Sequence, residues 1–226
     1  MQIFILFLVF YFFFFRFYIP NPFTAFLVFY VFYTIVDRQF VSLPDAFKPF
    51  KNRSKIKRLK DEIKLNPANV NAYYELGQIY LEQKKYQASI DCFSKTVDKM
   101  GEYGEVYFYL GKALFHKGNE EEGIINISKA IEKDHKIGYG EPYGYLLKAE
   151  LEKDNNQEKI EELVSCINKF GTPEIFYKAG IRIKALNKEM AREMFRLALE
   201  SYSGTPKHFK RTHRRWAILA RLQMLF

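Results

Sequence analysis

The sequence predicts an all-α protein: a solenoid of stacked helix-turn-helix pairs carried on an apolar N-terminal anchor. Three observations lead there. Leu76-Gly77-Gln78-Ile79-Tyr80 returns 34 residues later as Leu110-Gly111-Lys112-Ala113-Leu114, with Tyr73 and Tyr107 at the same offset before each run. Positions downstream echo one another too, Phe93 and Thr96 after the first run, Ile127 and Ala130 after the second. The opening segment is dominated by Phe, Ile, Leu, Val and Tyr, and it gives way to a run of Lys and Arg. A period near 34 residues is that of stacked helix pairs, which build an extended surface rather than a closed catalytic cleft.

Residues 1–37 read as a transmembrane anchor. Ile3 to Phe15 has no polar side chain except Tyr11, and Phe23 to Val36 has only Thr24, Thr34 and two tyrosines. The stretch is too long for one straight span of about 20 residues, and Pro20 and Pro22 break it. Two arrangements fit: a two-segment hairpin, which is favoured, or one span with the other half tilted or re-entrant. The apolar runs surround the whole helix circumference, so a surface-lying amphipathic helix is not expected. A cleaved signal peptide is not expected either: no Lys or Arg precedes Arg16, and Ala25 lacks a small residue two positions earlier.

Residues 38–60 read as a basic juxtamembrane linker and the start of a capping helix. Lys48, Lys51, Arg53, Lys55, Lys57, Arg58 and Lys60 form a tether that faces anionic lipid, with no acid from Ala46 to Lys60. Basic flanks stay on the cytoplasmic side of a bacterial inner membrane, so both anchor arrangements put the repeats in the cytoplasm. The chain carries +9 overall, yet residues 61–200 hold 20 Lys/Arg against 24 Asp/Glu, a net −4. The repeats are mildly acidic and their flanks basic.

Residues 61–204 hold the repeats, at about 70–103, 104–139, 140–172 and 173–204. The first reads Tyr73, Leu76, Gly77, Tyr80, Ser89, Phe93, Thr96 and the second Tyr107, Leu110, Gly111, Leu114, Gly123, Ile127, Ala130. Small residues suit places where two helices cross closely, and large ones fill the gaps beside them. The third has drifted. Tyr143, Leu146, Leu147 and Ala149 open it, Leu146 lies 36 residues after Leu110, and about two residues are inserted near His135–Gly140. Leu147 in place of glycine is expected to push that pair apart. The fourth recovers with Phe176, Ala179, Gly180, Ile183, Ala191, Phe195 and Ala198, its inter-helix turn at Leu186-Asn187-Lys188 one residue short. Ser54 to Leu65 reads as the closing helix of an earlier repeat. Residues 205–226 read as a basic C-terminal capping helix, with Thr205 as N-cap and Pro206 at the first helical position; Trp216, Leu219 and Ala220 mimic the opening of a fifth repeat.

These residues resemble the tetratricopeptide repeat family. Its first helix carries an aromatic, Leu-Gly and a second aromatic, and its second helix a small residue, an aromatic and Ala. The resemblance covers about residues 54–226 and implies a right-handed α-solenoid. In that family the first helices line a concave groove. Here this implies Asn71, Tyr74, Gln78 and Leu81 from the first repeat, then Glu105, Phe108, Lys112 and Phe115 from the second. The third adds Glu141, Lys148 and Leu151, and the fourth Tyr177, Ile181 and Lys184. Exposed aromatics there would anchor a peptide or helix. Some members grip a chaperone's terminal carboxylate with Lys and Asn at set positions; this chain has Tyr74, Gln78 and Tyr109 there, so that clamp is not expected.

The residues offer no chemistry. His116, His135, His208 and His213 do not pair at zinc-site spacing, no phosphate loop is present, and no serine sits in a nucleophile elbow. No enzyme activity, metal or cofactor is expected. Cys92 and Cys166 lie in different repeats and read as small apolar packing residues. Lys207 to Trp216 mixes bases with aromatics but carries no nucleic-acid reading motif, and reads as the solvated face of the cap. The sequence therefore predicts a non-enzymatic, membrane-anchored scaffold that holds protein partners in a homo- or hetero-oligomeric assembly. A second reading is a structural subunit of a large envelope machine, similar to a spirochaete flagellar-motor collar, which would put the repeats in the periplasm. Lipid or nucleic-acid binding through the basic flanks is a weaker third.

Overall fold

The computed structural model describes residues 48–153 and 156–225, together with Leu27, Val28 and Tyr30. Ten α-helices and one 3-10 turn make up the described residues, with no strand among them. Helix α1 spans Lys48–Leu65 and is succeeded by α2 (Val70–Glu82), α3 (Tyr86–Met100), α4 (Gly104–Lys117) and α5 (Glu120–Lys133). After the turn Ile137–Gly140 come α6 (Glu141–Glu152), α7 (Gln157–Phe170), α8 (Pro173–Ile183), α9 (Lys188–Gly204) and α10 (Lys207–Leu225). Four antiparallel pairs, α2/α3, α4/α5, α6/α7 and α8/α9, stack in chain order between α1 and α10. The transmembrane anchor expected over residues 1–37 lies outside the described residues apart from those three. No helix among the described residues is long and apolar enough to cross a membrane.

Local signals start the helices. Asn69, Asn156 and Asn187 each accept a backbone N–H of the first turn, at 3.2, 3.0 and 3.0 Å, satisfying donors that have no partner inside the helix. Pro142 and Pro173 occupy the first turn of α6 and α8, where the missing N–H costs nothing. At α10 the expected cap differs. The Thr205 hydroxyl donates back to the Ser201 carbonyl at 2.8 Å, and the Pro206 carbonyl accepts the first α10 amide bonds. The hydroxyl is drawn to the unsatisfied end of α9, so the helix begins one residue later.

Packing within a pair depends on the crossing of its two backbones. A Cβ on Gly111 would stand 2.7 Å from the Gly123 carbonyl oxygen and 2.8 Å from Ile127, and a Cβ on Gly123 would meet the Phe115 backbone at 2.8 Å. The helices α4 and α5 therefore touch backbone to backbone. In α2/α3 the same crossing seats the Phe93 ring on Gly77, and the buried Ser89 hydroxyl donates to the Gly77 carbonyl at 2.9 Å. In α8/α9 the Phe195 ring covers Gly180. Around these crossings Leu59, Phe93, Ile127, Ile160, Ile167, Ile183 and Met194 are fully buried.

The third pair breaks the pattern. Leu147 is fully buried between α6 and α7, whose backbones approach each other less than those of the other pairs do. One turn further on, Glu150 is 6% exposed, at the place where the neighbouring repeats carry Tyr80, Leu114 and Ile183. Its carboxylate pairs with the Lys159 ammonium at 2.8 Å and accepts from the Asn156 amide at 3.4 Å. The two inserted residues lie in the 3-10 turn, where Gly138, Tyr139 and Gly140 all have positive φ (60°, 49° and 85°). Two glycines tolerate this region at no steric cost and one tyrosine does not. The turn drives Ile137 into the core under Phe108.

The start of the array also differs from expectation. The basic segment is already helical at Lys48, and no Gly or Pro interrupts the Lys- and Arg-rich run from Phe50 to Leu65. Ile56, Leu59 and Ile63 seat α1 on α2. Arg53, Lys55, Lys57, Arg58 and Lys60 are exposed along it; Lys55 pairs with Glu75 on α2 at 2.8 Å and Arg58 with Glu62 at 3.3 Å. Lys48 and Lys51 belong to the same helix.

Two substitutions test this packing. Gly111→Ala should lower stability by about 1–3 kcal/mol, since the added methyl meets backbone that cannot rotate away; an unchanged thermal midpoint by circular dichroism would refute the close crossing. Glu150→Leu should leave the midpoint unchanged or raise it, because a well-packed apolar group often replaces a buried ion pair without loss. A clear drop would show that the carboxylate organises the third pair.

Candidate functional site: the concave groove

The first helices of the pairs, α2, α4, α6 and α8, lie side by side, and polar bonds cross from each to the next. The Tyr74 hydroxyl on α2 donates to Glu105 on α4 at 2.9 Å. From α4, Lys112 pairs with Glu141 at 2.6 Å, and His116 Nε2 meets the Tyr145 hydroxyl at 2.8 Å. Between α8 and α6, the Arg182 guanidinium donates to the Gly144 carbonyl. The last step, from α8 to the cap α10, is made by Lys184 donating to Gln223 at 2.7 Å and by Tyr177 against Trp216, ring centroids 5.6 Å apart.

The groove residues expected from the sequence divide in two. Asn71 and Glu105 are exposed; Tyr74, Gln78, Leu81, Lys112, Lys148 and Tyr177 are half-buried on this face. Phe108 and Phe115 are not exposed anchors: they are 3% and 4% exposed and pack with Ile127, Ala130 and Ile137. Tyr145 closes over both rings, at 6.4 and 5.2 Å. Tyr145 lies in the first turns of α6, directly after the 3-10 turn. Removing both phenylalanines would open the core, at about 3–5 kcal/mol for each ring, and would not report on binding.

Four side chains were not legible as groove residues: His116, Tyr145, Lys178 and Arg182. Together with Lys112, Phe115, Glu141 and Lys148 they line an open hollow of about 640 Å³. The available signal was periodic. Lys112 and His116 on α4 share one helix face at i, i+4 spacing, and so do Lys178 and Arg182 on α8.

Charge in the hollow acts on its titrating groups. Partial burial, and then the Lys112 and Lys148 ammonium groups, hold the His116 imidazole below its ordinary value of 6.5. Its ring stacks on Tyr86 of α3, centroids 5.5 Å apart, so this histidine joins three helices. Burial, and then Glu105, raises the Tyr74 phenol, and burial raises that of Tyr145; both stay neutral hydrogen-bonding groups. Away from the groove, burial pushes the Cys92 thiol up to about 11 and raises Cys166, which keeps both protonated and unreactive. Among the described residues no three His, Cys, Asp or Glu side chains gather to hold a metal.

Helix pairs stacked around a continuous concave face define the class of the molecule, an α-solenoid. Residues 59–91 match the tetratricopeptide repeat family, a stretch that runs from the buried Leu59 of α1 through α2 into α3. That match spans one repeat's length of the chain; solved structures extend the likeness, as one of fold, to most of the rest. The chain's fold is similar to that of a solved structure of MamA, with a TM-score of 0.56 at 20% identity over 72% of this chain and 97% of that one. A second MamA structure gives 0.52 at 24% identity, over 69% and 85%. YrrB, described as a TPR protein with an unusual peptide-binding site, gives 0.53 at 18% identity, over 79% and 86%. No curated protein matches the sequence.

The depressed imidazole carries a pH dependence. Between pH 6.5 and the lower folded value the unfolded chain binds the proton and the native chain does not. The stability at stake is complete above 6.5 and is lost as pH falls through that window. The thermal midpoint of His116→Gln should therefore fall less than that of the wild type from about pH 7 to 5; coincident pH profiles would exclude His116 as the source.

Proposed function

We propose that this protein is a non-enzymatic, membrane-anchored scaffold that holds a protein partner in its concave groove at the cytoplasmic face of a bacterial inner membrane. The observation that carries the reading is the continuous face of α2, α4, α6 and α8, with half-buried Tyr74, Leu81 and Tyr177 set among polar side chains. Half-buried aromatic and apolar groups ringed by hydrogen-bonding groups are what protein-binding surfaces use. The peptide-binding site named for YrrB supports the same use of the fold. Bonds that join each first helix to the next hold the face in one shape before a partner arrives, which lowers the ordering cost of binding.

Attachment to the membrane rests on the apolar run of residues 1–37 and on the helix after it. Arg53, Lys57 and Lys60 are exposed and lie at i, i+4, i+7 on α1, a stripe beside the edge that packs on α2. Such a stripe suits an anionic headgroup layer, at about 1 kcal/mol per well-placed cation.

A photo-reactive residue placed at Gln78 or Lys148 in cells should cross-link to a discrete protein in the membrane fraction, and one at Lys129 on the opposite face should not. Equal cross-linking from both faces would overturn the groove as the binding surface. A phosphatase fused after Phe226 should be inactive; an active fusion would place the repeats in the periplasm and favour the envelope-machine reading.

A further inference from the structure

The hollow between α4, α6 and α8 has a charge opposite to that of its surroundings. Residues 61–200 carry a net −4, yet five Lys or Arg side chains line the hollow against two glutamates. Lys112 comes from α4, Lys117 from its last turn, Lys148 from α6, and Lys178 and Arg182 from α8. Glu141 faces Lys112 at 2.6 Å, Glu120 reaches Lys148 at 3.4 Å, and Glu152, outside the lining, reaches Lys148 at 3.5 Å. Both glutamates of the hollow are thus engaged, and three further cations outnumber them. Lys178 turns to Glu174 outside it at 2.5 Å, and Arg182 donates to a neutral carbonyl.

Phe115 and Tyr145 close its base and are almost wholly buried, and the Lys148 ammonium stands 4.4 Å from the Phe115 ring centroid. The volume falls in the range of ordinary ligand sites. A fully anionic polymer would meet the acids that rim this face, Glu105, Glu120, Glu141 and Glu152. A segment that spaces a few side-chain carboxylates among neutral residues matches the cationic walls without setting a charge against every acid of the rim.

We propose that this hollow binds a short acidic segment of a partner protein, its side-chain carboxylates on Lys112, Lys148, Lys178 and Arg182. This rests on the groove being the partner surface and names the chemistry it accepts. The cations converge from three helices, so the site exists only where the second, third and fourth repeats are stacked. Recognition uses side-chain carboxylates and needs no chain terminus.

The test is fluorescence anisotropy with the full chain in mild detergent and a labelled short peptide of alternating Glu and Ala, blocked at both ends. The peptide should bind, and binding should weaken as salt rises. Lys148→Gln combined with Lys178→Gln should weaken it by about tenfold or more with the thermal midpoint retained, while Lys129→Gln should leave it unchanged. Both lysines are partly exposed, so the fold tolerates their loss. Equal binding of the peptide with Gln in place of Glu would overturn the acidic preference and leave the groove reading standing. Failure of both peptides, together with absent cross-links from Gln78 and Lys148, would overturn the two together.

Discussion

Everything in this solenoid depends on how closely the two helices of a pair approach. At Gly111 and Gly123 two backbones meet with no side chain between them, and this contact sets the height of the pair and hence the spacing at which the next first helix can lie. Close crossing lets Phe93, Ile127 and Phe195 fill the space beside it with little void. Burial of those side chains supplies the cohesion. The crossing supplies the geometry that makes burial of one pair compatible with burial of its neighbour.

In the third pair that constraint is relaxed. With Leu147 at the crossing, α6 and α7 cannot touch backbone to backbone, and the space is filled by a leucine instead. A carboxylate then occupies a core position, held by Lys159 and the Asn156 amide. The 3-10 turn ahead of α6 compensates at the inter-repeat boundary by driving Ile137 under Phe108. On α6, Tyr145 packs over Phe108 and Phe115, and Gly144, with no side chain in the way, lets Arg182 reach its carbonyl. The irregular repeat thus contributes to the distinctive chemistry of the groove.

That chemistry is a matter of electrostatics on a rigid frame. Cations from three helices share one concavity, and their mutual field is felt by His116, whose proton affinity drops through partial burial and beside Lys112 and Lys148. The acids that partner some of them are held in place by the same inter-helix bonds. A concave surface of low-dielectric walls concentrates such a field more than a flat one does. An array that is acidic on average can therefore present a local site of the opposite sign.

The sequence by itself determined the architecture, because helix crossing demands small residues at a fixed period and Leu76-Gly77 and Leu110-Gly111 display that period openly. It also revealed the drift of the third repeat, through Leu147 and the two-residue offset to Leu146. Tertiary structure alone decided which groove residues face a partner. Phe108 and Phe115 sit on the expected helix face, yet Tyr145 from the next repeat covers them. Lys178 and Arg182 become neighbours of Lys112 only through the stacking of three helices. Local periodicity reports which residues share one helix face; the rotation of one repeat against the next is set by contacts distant in the chain, and the chemistry of the groove is decided there.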